Sequence, residues 1–472
     1  MNDPFGPYLS ALPALTPQTI YLVGGSVRDL LIGTQDIKDI DLLMASGSED
    51  VARRFAGAIG ASFFFLDEER KISRVVKQTA QEVIQFDFTN FEGPDLAADL
   101  GRRDFTVNAM ALDLRAFIRN RSLDGLIDLF HGREDVQNRL IRVTKPAVLD
   151  EDPLRLLRAM RFAAALGFTI DDDTARQIRK CAKLIAGPSP ERIRDELFLI
   201  LSERNAEKHL LLMDSLGLLA PLFPELEPLR GFAPGRYHIH DVLTHSIKTA
   251  GYLDSVLDDL QNISPYHGET VRAHLEEHLE QLVPRKAALR FACLVHDNAK
   301  PETFSKDDDH VRFHGHDRLG AEKAVLLCRR LRLSRDTEKA VTSVIRHHMR
   351  LFNLSTAEGP SRNAMYRYCR DLGDALPESL ILAQADARAT FEIMPQEKFT
   401  DTTKPMALVL DYYYTKFLRV EAGPLVTGQD LIDRGLTPGP KFREILEEIK
   451  EKQAEGTLKD RQEALDYLGK LA

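Results

Sequence analysis

Short apolar runs alternating with polar positions come first along the chain, in TIYLVGG, IDLLMA, SFFFLD, SRVVKQ and EVIQFDFTNF, and they predict β-strands between residue 20 and about residue 135. Helical pieces separate these runs, so the pattern describes a small α/β unit built on a sheet. From about Val136 to Leu226 the helical period takes over and arginines recur among the polar positions. The Gly/Pro-rich stretch PLRGFAPGRYHIHD predicts a hinge, and beyond it nearly all of the chain reads as helix, with His, Asp and Arg concentrated between His238 and Arg388. Near the C-terminus, helix starts are expected at Thr427 and Pro438. The chain carries no internal repeat and no low-complexity tract.

Composition narrows the class. A chain of 472 residues, 43% apolar and 29% charged, is long enough for several domains of ordinary globular make-up. Cys181, Cys293, Cys328 and Cys369 are scattered singly, which argues for a reducing compartment and against disulfides or a zinc ribbon. The N-terminus lacks a basic segment followed by an apolar core, and no apolar run reaches the roughly 20 residues of a membrane span, so the expected location is the cytoplasm, with no membrane partner. A net charge of −9 confines any nucleic-acid surface to a local basic patch.

Chemistry concentrates in YLVGGSVRDLLIGTQDIKDIDLLMASG, residues 21–47. Asp39 and Asp41 lie two apart on an expected strand, so both carboxylates point to one face. Two such charges repel unless a cation sits between them, and hard oxygen donors of this kind suit Mg²⁺ bound together with substrate phosphates. Gly24 and Gly25 permit close approach of backbone N–H groups to phosphate, and Arg28 follows one helical turn later as a cationic clamp. A glycine pair or an Asp-x-Asp alone is commonplace; together they describe a metal-dependent phosphoryl or nucleotidyl transfer site.

GGSVRD followed by DIDLL resembles the head domain of class II tRNA nucleotidyltransferases and bacterial poly(A) polymerases, members of the polymerase-beta-like nucleotidyltransferase superfamily. DLGRRDFTVNAMALD resembles the second motif of that family, which implies that Arg103 holds the ribose or phosphate region of a nucleotide while Asp104 and Asn108 order the turn. LIDLFHGREDVQNRLIRV is similar to the joint between head and neck, DEDPLRLLRAMRFAAALGF to the nucleotide-reading helix, and SPERIRDEL to the helix after it. The likeness spans roughly residues 20 to 225 and implies nucleotide binding by Gly24, Gly25, Ser26, Arg28, Arg103, Asp104, Asn108, Glu151, Asp152, Arg155, Arg158 and Arg161, with Asp39 and Asp41 catalytic and holding two Mg²⁺.

The reading helix also has a physical rationale. Arg155, Arg158 and Arg161 recur every three residues and are expected on one face with Asp152, while Leu154, Leu157 and Phe162 supply packing. A carboxylate beside a guanidinium can accept from an exocyclic amine and donate to the neighbouring ring nitrogen. Cytosine and adenine share that edge, whereas uracil and guanine reverse it. The pair Asp152 and Arg155 therefore predicts choice of CTP and ATP without a template, with Arg158 and Arg161 facing the triphosphate and Glu151, by the resemblance, positioning the pair. Asp87, on the QFDF strand, is either a third carboxylate near the metals or a surface residue. Only the residues around Glu92 to Asp95 separate EVIQFDFTNF from LAADLGRRDF, where many CCA-adding relatives carry a longer flexible segment; its shortening accompanies enzymes that add only CC.

The helical half carries a second constellation: His245 in HDVLTHSIKTA, His296 and Asp297 with Lys300 in ACLVHDNAKP, and Asp386 in LILAQADARAT, with His314, His316, His347 and His348 between. Imidazoles and carboxylates delivered by successive helices make a divalent transition-metal site. The H…HD…D order resembles the HD phosphohydrolase superfamily, although Ala299 stands where many relatives have Gly. The C-terminal Lys/Glu-rich helix reads as a solvated face, with Lys441 and Arg443 as candidate phosphate contacts.

The expectation is an elongated, multidomain α/β plus all-α chain: a mixed-sheet head over 1–135, a helical neck over 136–230, an HD domain over 231–400 and a helical tail over 401–472. The implied activity is untemplated addition of C and A to the tRNA 3′ acceptor end from CTP and ATP, with release of pyrophosphate. CC-only or A-only addition and poly(A) synthesis remain open on the same fold, although FLDEERKISRVV replaces the arginine-rich run usual in poly(A) polymerases. An HD phosphohydrolase with an inactive head is the reading from another class.

Overall fold

The structure, a computed structural model, describes residues 7–35, 37–80, 82–233, 240–307, 310–355, 359–391 and 401–471. The middle of the expected Gly/Pro-rich hinge, residues 234–239, therefore lies outside the described residues. The chain separates into two compact units, residues 1–188 with 216–218, and residues 189–215 with 219–472.

The first unit is built on a mixed seven-stranded sheet. Its strands are β1 (Ile20–Val23), β2 (Asp39–Met44), β3 (Ser62–Asp67), β4 (Ile72–Gln78), β5 (Val83–Asn90), β6 (Met110–Asp113) and β7 (Leu126–Asp128), in the order β3-β4-β5-β2-β1-β6-β7. Only β2 and β5 run parallel; the other neighbours are antiparallel. The five expected strands are all present, and β6 and β7 join them. These two are four and three residues long, too short to show an alternation.

The period of two decides which face becomes core. Ile40 and Leu42 stand opposite Phe86 and Phe88 on one face, where Phe55 from helix α2 (Ser48–Ile59; α1 is Gly25–Ile32) packs against both rings at 5.0 and 5.7 Å. Each of these rings is fully buried, a contribution of about 1.5–3 kcal/mol apiece. The opposite face carries Asp39 and Asp41, with Asp87 beside Asp41 in register. Further along the same face Leu43 closes an apolar cluster with Val23, Leu100 and Ala111. One strand is thus anchored at its far end and polar at its near end.

The segment expected to read the nucleotide is not one helix. Residues Val148–Glu151 form a short helix, Asp152 is extended at φ −141° and ψ 98°, and helix α3 spans Arg155–Leu166. Pro153 accounts for the break, because its ring excludes the preceding residue from helical geometry. Asp152 therefore precedes the helix on which Arg155, Arg158 and Arg161 sit rather than sharing its face.

In the second unit the metal-ligating motifs lie on or beside α4 (Val242–Ile263), α5 (Arg285–Val295), α6 (His316–Arg330), α7 (Arg335–His347) and α8 (Leu376–Phe391). Two small hairpins, His278–Glu280 with Val283–Pro284 and Phe304–Asp307 with His310–Phe313, interrupt what the sequence suggests is nearly all helix. Toward the C-terminus Thr427 and Asp430 form a capping box at the start of Gly428–Asp433. The next helix begins at Pro440, not Pro438, with the fixed proline φ at its first position. Val426, Leu431, Ile445, Ile449, Leu458, Ala464 and Leu468 bury one another there as a separate small core.

All four cysteines are buried and unpaired. Among the described residues no helix is long and apolar enough to cross a membrane.

Candidate active site and metal centre

The turn between β1 and α1 is shaped for Asp41. Gly24 has φ +61° and ψ −132°, and a Cβ there would stand 2.8 Å from Asp41 Oδ2 and 3.1 Å from Arg103 Nη1. No side chain fits, so the backbone itself approaches the carboxylate. The Gly25 N–H donates to the Asp41 carboxylate, and burial pushes that carboxyl up to about 6, opposed by Arg103 and reinforced by Asp87 and Asp39. A recessed carboxylate whose charge is disfavoured, two residues from an exposed carboxylate on the same face, suits a divalent cation. Asp87 is already engaged: Arg74 donates to both its oxygens at 2.7 Å, which makes it a paired strand residue rather than a free third ligand.

Ser26, grouped with the nucleotide-binding residues by its motif, is fully buried. Its hydroxyl accepts the Asp41 backbone N–H at 2.8 Å and donates to the Asp39 carbonyl at 3.3 Å. That hydroxyl therefore clips α1 to the aspartate strand and is not offered to a ligand.

The cations are arranged through buried acceptors. Arg103 Nε and Nη2 each lie 3.2 Å from Asp99 Oδ2, and the other oxygen of Asp99 accepts the Glu92 N–H at 2.9 Å. Arg28 pairs with Asp29 at 2.8 Å and donates to Asn108 Oδ1 at 2.9 Å. Asn108 donates to Asp104 Oδ1 at 3.1 Å, and Arg158 donates to Asp104 Oδ2 at 2.7 and 2.9 Å. Burial alone would raise the Asp104 carboxyl, but Arg158, Asn108 and the Phe105 N–H hold it below its ordinary value. Asp104 and Asn108 thus order the turn and also couple Arg28 to Arg158, so part of the Arg158 guanidinium is committed to protein rather than to a triphosphate.

Arg155 is fixed by two backbone carbonyls, Arg102 O at 2.9 Å and Val148 O at 3.2 Å. Asp152 Oδ1 accepts the Leu154 N–H at 3.2 Å. Glu151 pairs with Lys145 at 2.9 Å and lies 3.8 Å from Arg155. Arg161 stacks over Phe162 at 4.2 Å.

The second centre lies wholly in the other unit. His245 on α4, His296 and Asp297 after α5, and Asp386 on α8 come together, and the structure adds His316 from the start of α6 and His348 from the end of α7. His245 Nε2 is 2.9 Å from Asp386 Oδ1 and 3.7 Å from Asp297 Oδ2, and His296 Nε2 is 3.2 Å from Asp297 Oδ2. His316 Nε2 and His348 Nε2 are 3.6 and 4.0 Å from Asp297 Oδ1. In His296, His316 and His348 the Nδ1 atom sits 2.8, 2.8 and 2.7 Å from the carbonyl three residues earlier. Each Nδ1–H is thereby spent on backbone, which leaves each Nε2 lone pair aimed at the cluster. His316 Nε2 and His348 Nε2 face each other at 3.1 Å, and the Nε2 atoms of His245 and His296 with both Asp297 oxygens are buried inside the cluster, where their polar neighbours are its other members and Lys300. Such a set fits a divalent metal. Lys300 Nζ, 2.5 Å from Asp297 Oδ2, supplies a further positive charge.

The sequence names His314, His316, His347 and His348 without choosing among them. The structure chooses by burial: His316 and His348 are buried, His314 is exposed and His347 half-buried. His316 opens a helix while His314 sits in the turn before it, and His348 follows directly on α7, which ends at His347; local placement therefore decides which histidines turn inward.

The fold and these sites define a nucleotidyltransferase joined to an HD metal domain, and comparison with known proteins agrees. Residues 20–142 match the poly A polymerase head domain, residues 167–229 the probable RNA and SrmB-binding site of polymerase A, and residues 242–390 the HD domain. The chain is 34% identical to the A-adding tRNA nucleotidyltransferase of Deinococcus radiodurans, over 98% of this chain and 97% of that one. It is 30% identical to the CC-adding tRNA nucleotidyltransferase of Geobacter sulfurreducens, over 95% and 91%. A CCA-adding enzyme of Thermotoga maritima solved with tRNA_CCA has the same fold, with a TM-score of 0.60 at 21% identity over 98% of this chain and 94% of that chain. The chain belongs to the tRNA nucleotidyltransferase family and is an enzyme of the nucleotidyltransferase class.

Proposed function

We propose that this enzyme extends the 3′ acceptor end of tRNA with C or A from CTP or ATP, without a nucleic-acid template. The observation that carries the reading is the packing of the Gly24–Gly25 turn against Asp41, a geometry open only to glycine, beside a carboxylate pair that suits a cation. Asp39 and Asp41 would hold Mg²⁺, which when bound offsets charge at the α-phosphate and lowers the pKa of the attacking RNA hydroxyl. Arg103, anchored by Asp99, lies beside the same turn and serves the ribose or phosphates. Asp152 and Arg155 would supply an acceptor and a donor to the edge shared by cytosine and adenine, a reading supported by the backbone contacts that hold both side chains.

A specific observation favours partial rather than complete CCA addition. The segment that is short in the sequence is also tied down: Asp99 accepts the Glu92 N–H, and Asp95 caps the helix Leu96–Leu100 by accepting the Ala98 N–H at 2.8 Å. A tethered segment has little freedom to rearrange between C and A addition, and the relatives described above are A-adding and CC-adding over nearly their whole length.

The test is extension at single-nucleotide resolution of tRNA transcripts lacking CCA, ending in CC, or complete, with CTP, ATP or both. One A added only to the CC-ended transcript makes the enzyme A-adding. Arrest after two Cs makes it CC-adding, and two Cs followed by one A makes it complete. Many As on any RNA would replace the reading with poly(A) synthesis, and no extension would overturn it.

The HD centre supports metal-dependent phosphoester hydrolysis as a separate activity, on the strength of its inward-facing imidazoles. Release of phosphate from a nucleotide or an RNA end by the Asp41→Asn enzyme, abolished by Asp297→Ala, would establish it.

A further inference from the structure

We propose that Phe162 is a positioning residue for the nucleotide phosphates, its ring gathering Arg28, Arg158 and Arg161 into one cationic cluster. The guanidinium carbons of these three arginines lie 5.4, 5.3 and 4.2 Å from the ring centroid. Arg28 belongs to α1, directly after the glycine turn, whereas Arg158 and Arg161 belong to α3. The ring therefore joins the phosphate-approaching turn to the reading helix.

Three like charges at such distances repel one another, and a cluster of this kind needs compensation. Asp29 and Asp104 compensate Arg28 and Arg158 from outside. The negative face of an aromatic ring compensates from within, and does so without an acceptor that would compete with phosphate for the guanidinium N–H groups. Phe162 is buried, and Phe105 meets it edge to face at 5.7 Å and 79°, so the ring is held against rotation. Phe105 in turn donates its backbone N–H to Asp104 at 2.8 Å. The carboxylate that pairs with Arg158 and the ring that steers it are thus parts of one assembly. An aliphatic residue would fill the space without a negative face toward the three guanidinium groups, so the need is for the π face and not simply for bulk.

The inference rests on the reading that this site takes a nucleoside triphosphate. The test replaces Phe162 in the full-length enzyme with 4-fluoro-, 3,5-difluoro- and 3,4,5-trifluorophenylalanine, which drain the π face while nearly keeping its shape. ATP and CTP affinities are read by equilibrium binding, with KM and kcat for the incorporated nucleotide and the thermal midpoint alongside. Nucleotide Kd and KM are expected to rise stepwise with fluorine number, to roughly three- to tenfold for the trifluoro ring, with kcat within about twofold and the midpoint unchanged. Phe162→Leu should lie at or beyond the end of that series. Flat Kd and KM across the series, or Kd changes that merely follow loss of thermal stability, would overturn the proposal while leaving the nucleotide reading intact. Failure of the unmodified enzyme to bind either nucleotide would remove both.

Discussion

Arg158 lays its guanidinium against the buried carboxylate of Asp104, with two N–H groups 2.9 and 2.7 Å from one oxygen. The pair links the DLGRRDFTVNAMALD segment to helix α3. It also means that the helix does not present its arginines as a simple stripe, because one of them is turned partly inward.

Replacing Asp104 with Asn should cost roughly 2–4 kcal/mol of stability, at the lower end if Arg158 can turn toward water. The folded-state carboxyl lies below its ordinary value. Its stabilisation is therefore present above the unfolded pKa of about 4 and is lost as pH falls through the folded value. The acid limb of the thermal midpoint against pH should flatten in Asp104→Asn, as measured by calorimetry from pH 7 down to 3. An unchanged limb would show that other carboxylates carry the acid sensitivity.

Gly24→Ala introduces a Cβ where Asp41 and Arg103 already stand, at a backbone conformation suited to glycine. The strain should lower stability by about 1–3 kcal/mol. Nucleotide incorporation should fall much further than stability, by about a hundredfold, because the displaced group is the recessed carboxylate. Turnover and thermal midpoint measured on the same preparation separate these effects.

Asp41→Asn should lower incorporation by about a thousandfold or more, the loss of several kcal/mol of charge stabilisation in the transfer step. Any hydrolytic activity of the HD centre should be untouched, since its ligands all come from the other compact unit. Parallel assays of extension and phosphate release on one variant test the separation; joint loss would show that the two activities share a site.

Divalent metal should stabilise the second unit, and at a hundredfold excess over Kd a thermal shift equivalent to about 2.7 kcal/mol is expected. His348→Ala should weaken Mn²⁺ or Ni²⁺ binding at least tenfold in a calorimetric titration. The same change removes one of two opposed lone pairs, so it should not destabilise the metal-free protein by the full cost of a core truncation. Equal metal affinity in His348→Ala would exclude this imidazole as a ligand.

Much of the site is legible in linear order because its chemistry is local. A strand holds alternate residues on one face, so Asp39 and Asp41 declare themselves together, and a glycine pair before a helix needs no distant partner to be recognised. The order of His245, His296, Asp297 and Asp386 is similarly visible, because an HD dipeptide after an apolar helix is unusual. The extended Asp152 is also a local matter, written in Pro153, although the arginine spacing draws attention to a continuous helix instead.

The sequence by itself determined the strand alternation, the glycine turn, the paired aspartates and the residue types available to each centre, since these depend on neighbours along the chain. Only the tertiary structure decided that Arg74 engages Asp87, that the Ser26 hydroxyl serves backbone, that Asp104 holds Arg158, and that His316 and His348 turn inward while His314 and His347 do not. Each of those outcomes depends on how separate elements are placed and brought together. That placement is set by the burial of apolar faces such as Phe55 on Phe86 and Phe88, and the polar side chains find their partners once those faces are covered.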